Sequence, residues 1–143
     1  MDIARLIASR DPAGIVTCTA GATVRQAVQL LAEKRIGALP VLSGGHLAGI
    51  FSERDSLYRL AEEGAGCLER QVGDVMTAPP VTITPEASFI DALALMTRRR
   101  IRHLPVVNNG AMVGFISIGD IVKARIDAIS AEAEHMRQYI QTA

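Results

Sequence analysis

An internal repeat constrains the fold of this chain more than any other feature of its sequence. When the 143 residues are shifted by 65 positions, residues 36–55 lie over residues 101–120 without a gap. The identical pairs include Ile36/Ile101, Leu39/Leu104, Pro40/Pro105, Val41/Val106, Gly45/Gly110, Gly49/Gly114, Ser52/Ser117 and Asp55/Asp120. A repeat of this quality predicts a tandem of two like structural units.

Each unit is predicted to follow the order β-α-β-β-α. Turn signals, Ser43-Gly44-Gly45 and Asn108-Asn109-Gly110, separate pairs of apolar runs and indicate two hairpins. Thr23 and Gln26 form a capping-box pattern at a helix start. The predicted strands cover residues 15–18, 38–42, 47–51, 81–83 and the two arms of the second hairpin, and the predicted helices cover residues 2–9, a segment from residue 23, 52–63 and 88–99.

The fold class predicted from this order is α+β. Two β-α-β-β-α repeats would bury their remaining apolar faces against each other about a pseudo-twofold axis. The predicted division is residues 1–66 for the first repeat with its lead-in helix, 67–126 for the second repeat and 127–143 for a C-terminal helical extension.

The C-terminal helix carries an apolar seam that one unit is too short to cover. Its residues alternate steps of four and three, the 3.5-residue period of a coiled-coil seam. They are Val122, Ile126, Ile129, Ala133, Met136 and Ile140. Either the helix folds back on the body or the seam packs on a second subunit, and the second alternative predicts a homodimer.

Composition excludes several classes of function. Fifteen basic and fifteen acidic side chains cancel, and only 3% of residues are aromatic. A nucleic-acid partner or an anionic membrane surface is therefore not expected, since both favour a basic excess. Two isolated cysteines and the absence of a recognisable signal peptide or long apolar run predict a cytoplasmic protein.

The segment Ser52-Glu53-Arg54-Asp55 recurs as Ser117-Ile118-Gly119-Asp120. Taken alone, such a segment at a helix start is a cap, in which the hydroxyl accepts a backbone N–H and the acid favours the positive helix end. In a functional reading the aspartate binds both hydroxyls of a ribose. The recurrence favours the second reading, because each copy follows a glycine and two apolar residues and lies downstream of Leu-Pro-Val.

That combination resembles a tandem pair of cystathionine-β-synthase-type (CBS) domains, also called a Bateman module, as found in stand-alone CBS-domain proteins. The resemblance covers about residues 3–125. It implies regulatory binding of an adenosine-containing ligand, such as AMP, ADP, ATP, NAD(H) or S-adenosylmethionine, with no catalytic cofactor and no enzymatic activity.

The resemblance also implies two nucleotide-binding clefts, each sharing residues of both repeats. The acids would hold ribose, nearby backbone would read adenine, and basic side chains would meet phosphate. The residues implied for the first cleft are Ser52, Arg54, Asp55, Thr77, Ala78, Pro80, Ile101, Arg102 and His103. Those implied for the second are Ala13, Ile15, Ile36, Gly37, Ala38, Ser117 and Asp120.

The sequence predicts that the two clefts differ in charge. Arg102 and His103 of the second repeat occupy the places of Gly37 and Ala38, and Arg54 occupies the place of Gly119. All the additional basic residues are thus expected in the first cleft, and a phosphorylated ligand is expected there.

The function predicted is a sensor whose ligand shifts the relative angle of the two units, an angle read by an unidentified regulated protein. The alternative is a structural protein–protein interaction or dimerisation module whose pockets bind no ligand.

Overall fold

The computed structural model describes residues 2–142. The helices are α1 (Ile3–Ile7), α2 (Val24–Lys34), α3 (Glu53–Glu63), α4 (Val72–Val75), α5 (Phe89–Arg99) and α6 (Ile118–Thr142). The strands are β1 (Cys18–Thr19), β2 (Ala38–Ser43), β3 (His46–Ser52), β4 (His103–Asn108) and β5 (Ala111–Ser117). Two 3-10 segments, Pro12–Gly14 and Gly64–Glu69, lie before β1 and before α4. The predicted α+β class is confirmed.

Two β-hairpins form the centre of the units, as predicted. β2 pairs antiparallel with β3, and β4 pairs antiparallel with β5. The two-residue turns have positive φ at both positions, 58° and 80° at Gly44 and Gly45, and 51° and 80° at Asn109 and Gly110. Such turns match the twist of the strands that they join.

The long helices begin at side-chain caps. A reciprocal capping box joins Thr23 to Gln26 at α2, Ser52 to Asp55 at α3, and Ser88 to Asp91 at α5. The predicted capping box at α2 is therefore confirmed, and the serine–aspartate pair at the start of α3 does act as a cap. The hydroxyl of each box, with the Gln26 amide oxygen at α2 and an aspartate carboxylate at α3 and α5, accepts hydrogen bonds from N–H groups that a helix leaves unpaired at its start.

The predicted lead-in strands are shorter than expected. The first is reduced to β1, which pairs parallel with β2, and residues 15–17 form no strand. The second is a single bridge between Ile83 and Val106. In the first unit the Ala20 N–H continues the pairing by donating to the Leu42 carbonyl, 2.9 Å away. The repeat places Pro85 opposite Ala20, and proline has no N–H to donate.

The short helix at the start of each unit packs on the other unit. Ile3 of α1 is fully buried in the core of the second unit, whereas Val72 and Val75 of α4 are buried in the core of the first. The hydrogen bonds are reciprocal: the Ile3 N–H donates to Ala87 O at 2.9 Å, and the Val72 N–H donates to Ala22 O at 2.8 Å. The predicted division at residues 66 and 126 stays a prediction, but the lead-in helix contributes its apolar side to the second core.

Helix α6 runs without interruption for 25 residues. Ile121 in its first turns is buried in the second core, but the seam beyond it is exposed, so the alternative in which the helix folds back on the body is wrong. The exposed large apolar residues of α6 are Val122, Ile126, Ile129, Met136, Tyr139 and Ile140. Within residues 2–142, no helix is long and apolar enough to cross a membrane.

Candidate ligand clefts

Two clefts open where the units meet, and each contains one aspartate of the repeated cap. We name them the Asp55 cleft and the Asp120 cleft. The Asp55 cleft is lined by Gly37, Ala38, Ile50, Ser52, Glu53, Arg54, Asp55, Thr77, Pro80, Val81, Arg100, Ile101, Arg102 and His103. The Asp120 cleft is lined by Arg10, Asp11, Pro12, Gly14, Ile15, Val16, Arg35, Ile36, Gly37, Ala38, His103, Val113, Gly114, Phe115, Ser117 and Asp120.

The Asp55 carboxylate accepts hydrogen bonds both from the cap of its own helix and from the segment after α4. Because α1 and α4 each pack on the other unit, we call each of these short helices, with the residues that follow it, an exchanged segment. Its Oδ2 accepts hydrogen bonds from the Ser52 N–H and hydroxyl at 2.9 and 3.1 Å. Its Oδ1 accepts one from the Thr77 hydroxyl at 3.2 Å. Thr77 reaches this position because its backbone pairs with Ile50 of β3, in the first unit. Two neutral partners therefore hold this acid. Oδ2 already accepts two hydrogen bonds, whereas Oδ1 accepts one and retains a lone pair for a further donor.

The Asp120 carboxylate has a charged partner instead. Its Oδ2 accepts the Ser117 N–H at 2.8 Å, as the cap requires. The Arg10 guanidinium faces both oxygens, with Nη1–Oδ2 and Nη2–Oδ1 distances of 3.3 Å. Burial alone would raise the pKa of Asp120, but the hydrogen bonds from Ser117 and Arg10, with the charge of Arg10, outweigh it and lower the pKa. The carboxylate is thus ionised at neutral pH.

Arg54 spans the Asp55 cleft. Its guanidinium donates from Nη1 to the backbone carbonyl of Arg100 at 2.9 Å. Arg100 is in the left-handed conformation, with φ of 55°, as it ends α5, and this turns its carbonyl toward Arg54. The contact holds Arg54 of the first unit against the second unit, and both arginines line the Asp55 cleft.

His103 lies between the two clefts and lines both. Its ring stacks on Phe115, with centroids 5.5 Å apart and planes 14° apart. A Cβ atom at Gly37 would come within 3.2 Å of the imidazole, so the small residue there leaves room for the ring. Burial lowers the pKa of His103, reinforced by Arg102 and opposed by the negative charges of Asp120 and Glu53.

The clefts differ in size. The Asp120 cleft encloses about 610 Å³ and the Asp55 cleft about 180 Å³. Small-molecule sites in proteins typically occupy about 300–1,000 Å³. Only the Asp120 cleft reaches that range in this conformation.

Most of the residues implied by the resemblance lie where they were expected. Ser52, Arg54, Asp55, Thr77, Pro80, Ile101, Arg102 and His103 line the Asp55 cleft, and Ile15, Ile36, Gly37, Ala38, Ser117 and Asp120 line the Asp120 cleft. Ala13 and Ala78 do not line these cavities. Both are exposed, and the N–H of Ala13 donates to the Asp11 carboxylate in the 3-10 turn, so it already has an acceptor.

The expectation that all additional basic residues fall in the Asp55 cleft is wrong. Arg10, Arg35 and His103 line the Asp120 cleft. Arg10 was missed because it lies upstream of residue 16, where the match between the two repeats begins. Its signal is a length difference: 13 positions separate Ile3 from Val16, whereas 9 separate their counterparts Val72 and Val81. Arg10 belongs to the four residues by which the first lead-in is longer.

Within residues 2–142, no cluster of His, Cys, Asp or Glu side chains could hold a metal ion. The clefts contain groups suited to binding: carboxylates can accept hydrogen bonds from hydroxyl groups, guanidinium groups can bind anions, and apolar walls can pack on a planar ring.

The family of the chain follows from its sequence as well as from this geometry. The CBS domain model matches residues 4–61 and residues 72–127. The chain therefore belongs to the CBS domain family and contains the domain twice, so the predicted resemblance is confirmed. CBSX3, a mitochondrial CBS domain-containing protein of Arabidopsis thaliana, is 40% identical over 129 residues. The match covers 87% of this chain and 63% of CBSX3, so the chain spans less than two thirds of that relative.

Solved structures of other CBS proteins share the fold. A protein with CBS domains from Burkholderia ambifaria superposes with a TM-score of 0.82 at 38% identity, over 89% of this chain and 95% of that one. CBSX2, solved in complex with AMP, gives a TM-score of 0.75 at 26% identity, over 89% of this chain and 97% of that one. Two stacked CBS repeats of this kind thus occur in a protein that binds an adenine nucleotide.

Proposed function

We propose that this chain is a regulatory binding protein for an adenosine-containing ligand of the AMP, ADP, ATP, NAD(H) or S-adenosylmethionine type, and not an enzyme. The observation that carries the proposal is the Asp120 cleft, a cavity of about 610 Å³ with an ionised aspartate at one end and apolar walls. The AMP complex of CBSX2 supports the choice of ligand class.

The chemistry of a nucleotide fits the residues of this cleft. The vicinal hydroxyls of a ribose bind a carboxylate, and Asp120 is the carboxylate at the start of α6. Adenine is a planar ring with apolar faces, and Ile15, Ile36 and Phe115 provide apolar surfaces for them. Arg10 and Arg35 are suited to phosphate, because a guanidinium offers paired donors to its oxygens.

We place the phosphorylated ligand in the Asp120 cleft, which reverses the ranking expected from the sequence. The larger volume and the arginine next to Asp120 favour it. The Asp55 cleft is the second site; Arg54 must leave the Arg100 carbonyl before a ligand of similar size can enter.

Regulation follows from the position of the clefts between the units. A ligand that contacts both units stabilises one relative orientation and shifts the population toward it. We propose that a separate, unidentified protein in the cytoplasm reads this orientation.

A second function, protein–protein interaction, is favoured by the exposed apolar face of α6. We propose that this face pairs with a second copy of the chain, since its 3.5-residue period suits a partner helix. Sedimentation analysis tests it. The double change Ile126→Glu and Ile129→Glu is expected to give monomers, whereas Ala131→Glu, on the opposite face, is expected to leave a dimer; a monomeric wild type would contradict the pairing.

The test of ligand binding is thermal unfolding with AMP, ADP, ATP, NAD, NADH and S-adenosylmethionine. A ligand present at a hundredfold excess over its Kd stabilises the fold by about 2.7 kcal/mol. We expect stabilisation by at least one adenine nucleotide, largely lost in Asp120→Ala and less reduced in Asp55→Ala. An unchanged midpoint across the whole set would leave only the interaction function.

A further inference from the structure

Arg10 gives the Asp120 cleft a feature that its repeat-related counterpart lacks. The two aspartates occupy equivalent positions and form equivalent caps, yet Thr77 contacts Asp55 and Arg10 contacts Asp120. Both partners follow the exchanged short helices, Thr77 after α4 and Arg10 after α1. The packing of each short helix on the other unit therefore places the neutral Thr77 hydroxyl in the Asp55 cleft and the Arg10 cation in the Asp120 cleft.

The backbone around Arg10 sets its reach. The Arg10 N–H donates to the Ile7 carbonyl at 3.0 Å. Ile7 in turn packs against Gly114 of β5, where a Cβ atom would lie 2.9 Å from the Ile7 side chain. Arg10 thus extends from a segment fixed on the second unit, and its guanidinium lies at the mouth of the cleft.

The ion pair is weak enough to be exchanged. The Arg10 side chain is 42% exposed and that of Asp120 33% exposed, and both contacts are 3.3 Å long. Ion pairs of this exposure contribute little net free energy, because water solvates both charges well. A competing ligand can therefore displace the guanidinium from the carboxylate.

A ribose that binds Asp120 uses the oxygens that Arg10 now faces. For an uncharged nucleoside this exchange leaves Arg10 without its anionic partner. For a nucleotide, a phosphate next to the ribose replaces the carboxylate as the partner of the guanidinium, in bidentate geometry. The cost of breaking the ion pair is then recovered only by a ligand that carries both a vicinal diol and an anion.

We propose that Arg10 is the specificity-determining residue of the Asp120 cleft, and that it selects phosphorylated adenosine ligands over adenosine by transfer from Asp120 to the ligand phosphate. This inference rests on the proposed function and narrows its ligand class. It assigns the discrimination to a residue outside the repeated segment, in the longer of the two lead-ins.

Calorimetric titration with AMP and with adenosine tests the inference, in an Asp55→Ala background so that the heat reports the Asp120 cleft. Arg10→Ala is expected to weaken AMP binding about tenfold or more, the range for loss of a charge-assisted pair. Adenosine binding is expected to stay within about threefold or to improve, since Asp120 is no longer engaged by Arg10. Arg10→Lys should restore part of the AMP affinity, because it keeps the charge and loses the fork.

Arg25→Ala is the matched control, since Arg25 forms a comparable exposed ion pair with Glu69 away from both clefts. It should leave both affinities unchanged. Equal changes for AMP and adenosine in Arg10→Ala, or none, would overturn the inference, while loss of AMP binding in Asp120→Ala would still support the proposed function. If Asp55→Ala alone abolishes AMP binding, the ligand occupies the other cleft and only the inference falls. If the wild type binds no adenosine ligand at all, both fall.

Discussion

The Asp55 and Asp120 clefts arise from the same repeated segment, and they differ in what the exchanged lead-in brings to the aspartate. In the Asp55 cleft the lead-in is four residues shorter, and it places Thr77 at the Asp55 carboxylate. Arg54 there reaches across to the Arg100 carbonyl. In the other, Arg10 forms an ion pair with the acid, and the cavity is more than three times as large. A duplicated scaffold can thus acquire two different sites through its connecting segments while the repeated hairpins and caps stay the same.

The largest expected effect concerns the exchange itself. Ile3 is fully buried in the second core although it lies at the third position of the chain. Ile3→Ala should lower the free energy of unfolding by about 2–5 kcal/mol, the usual cost of truncating a buried isoleucine. Urea unfolding measures it. The control Ile90→Ala, at a residue 77% exposed, should change it by less than about 0.5 kcal/mol; equal effects of the two changes would show that α1 does not pack as described.

An added methyl group should lower the free energy of unfolding by different amounts at Gly49 and at Gly114. These are the two glycines where the segments around α4 and α1 contact the hairpins. A Cβ atom at Gly49 would lie 2.7 Å from both the Met76 sulfur and the Thr77 carbonyl oxygen. At Gly114 it would meet only the Ile7 side chain, which can turn away. We expect Gly49→Ala to cost about 1–3 kcal/mol in urea unfolding and Gly114→Ala less.

Gly21→Ala serves as the control for this pair, because a Cβ atom there has no neighbour within 4 Å. A larger loss at Gly114 than at Gly49 would contradict the difference in rigidity between the two contacts.

The partners of the two aspartates should matter little for stability without ligand. Thr77→Val removes one hydrogen bond to Asp55 and keeps the backbone pairing with Ile50, so a loss of about 0.5–1.5 kcal/mol is expected. Arg10→Ala breaks an exposed ion pair and should cost at most about 1 kcal/mol. Urea unfolding of both variants checks this; a loss well above these values in Arg10→Ala would contradict the weakness of the Arg10–Asp120 ion pair.

The smallest effect is a pH dependence from His103, whose counterpart in the first unit is Ala38. Burial lowers its pKa in the folded state, so the unfolded chain binds the proton more tightly. Stability from the neutral ring is complete above the unfolded pKa, about 6.5, and is lost as the pH falls toward the folded pKa. Relative to His103→Gln, the wild type should lose unfolding free energy between pH 7.5 and pH 5, measured by urea unfolding; parallel profiles would contradict the shift.

Much of this architecture could be predicted from the sequence because its determinants are local. The repeat at 65 positions, the Asn109-Gly110 and Gly44-Gly45 turns and the capping serines each act within a few residues of chain. They define two hairpins, the helix starts and the position of an aspartate at each of two helix N-termini. The family pattern then identifies Asp55 and Asp120 as a pair.

The resemblance implied which segments share each cleft, but only the tertiary structure decided how the short helices α1 and α4 pack. The packing of Ile3 in the second core and of Val72 in the first is a long-range choice that no local pattern encodes. Arg10 and Asp120, 110 positions apart, become neighbours only through that packing. The lead-in strand of the second unit is likewise limited to the bridge between Ile83 and Val106, because Pro85 has no N–H with which to extend the pairing. Local chemistry therefore determined the repeated elements, and long-range burial of apolar surface determined the difference between the two clefts.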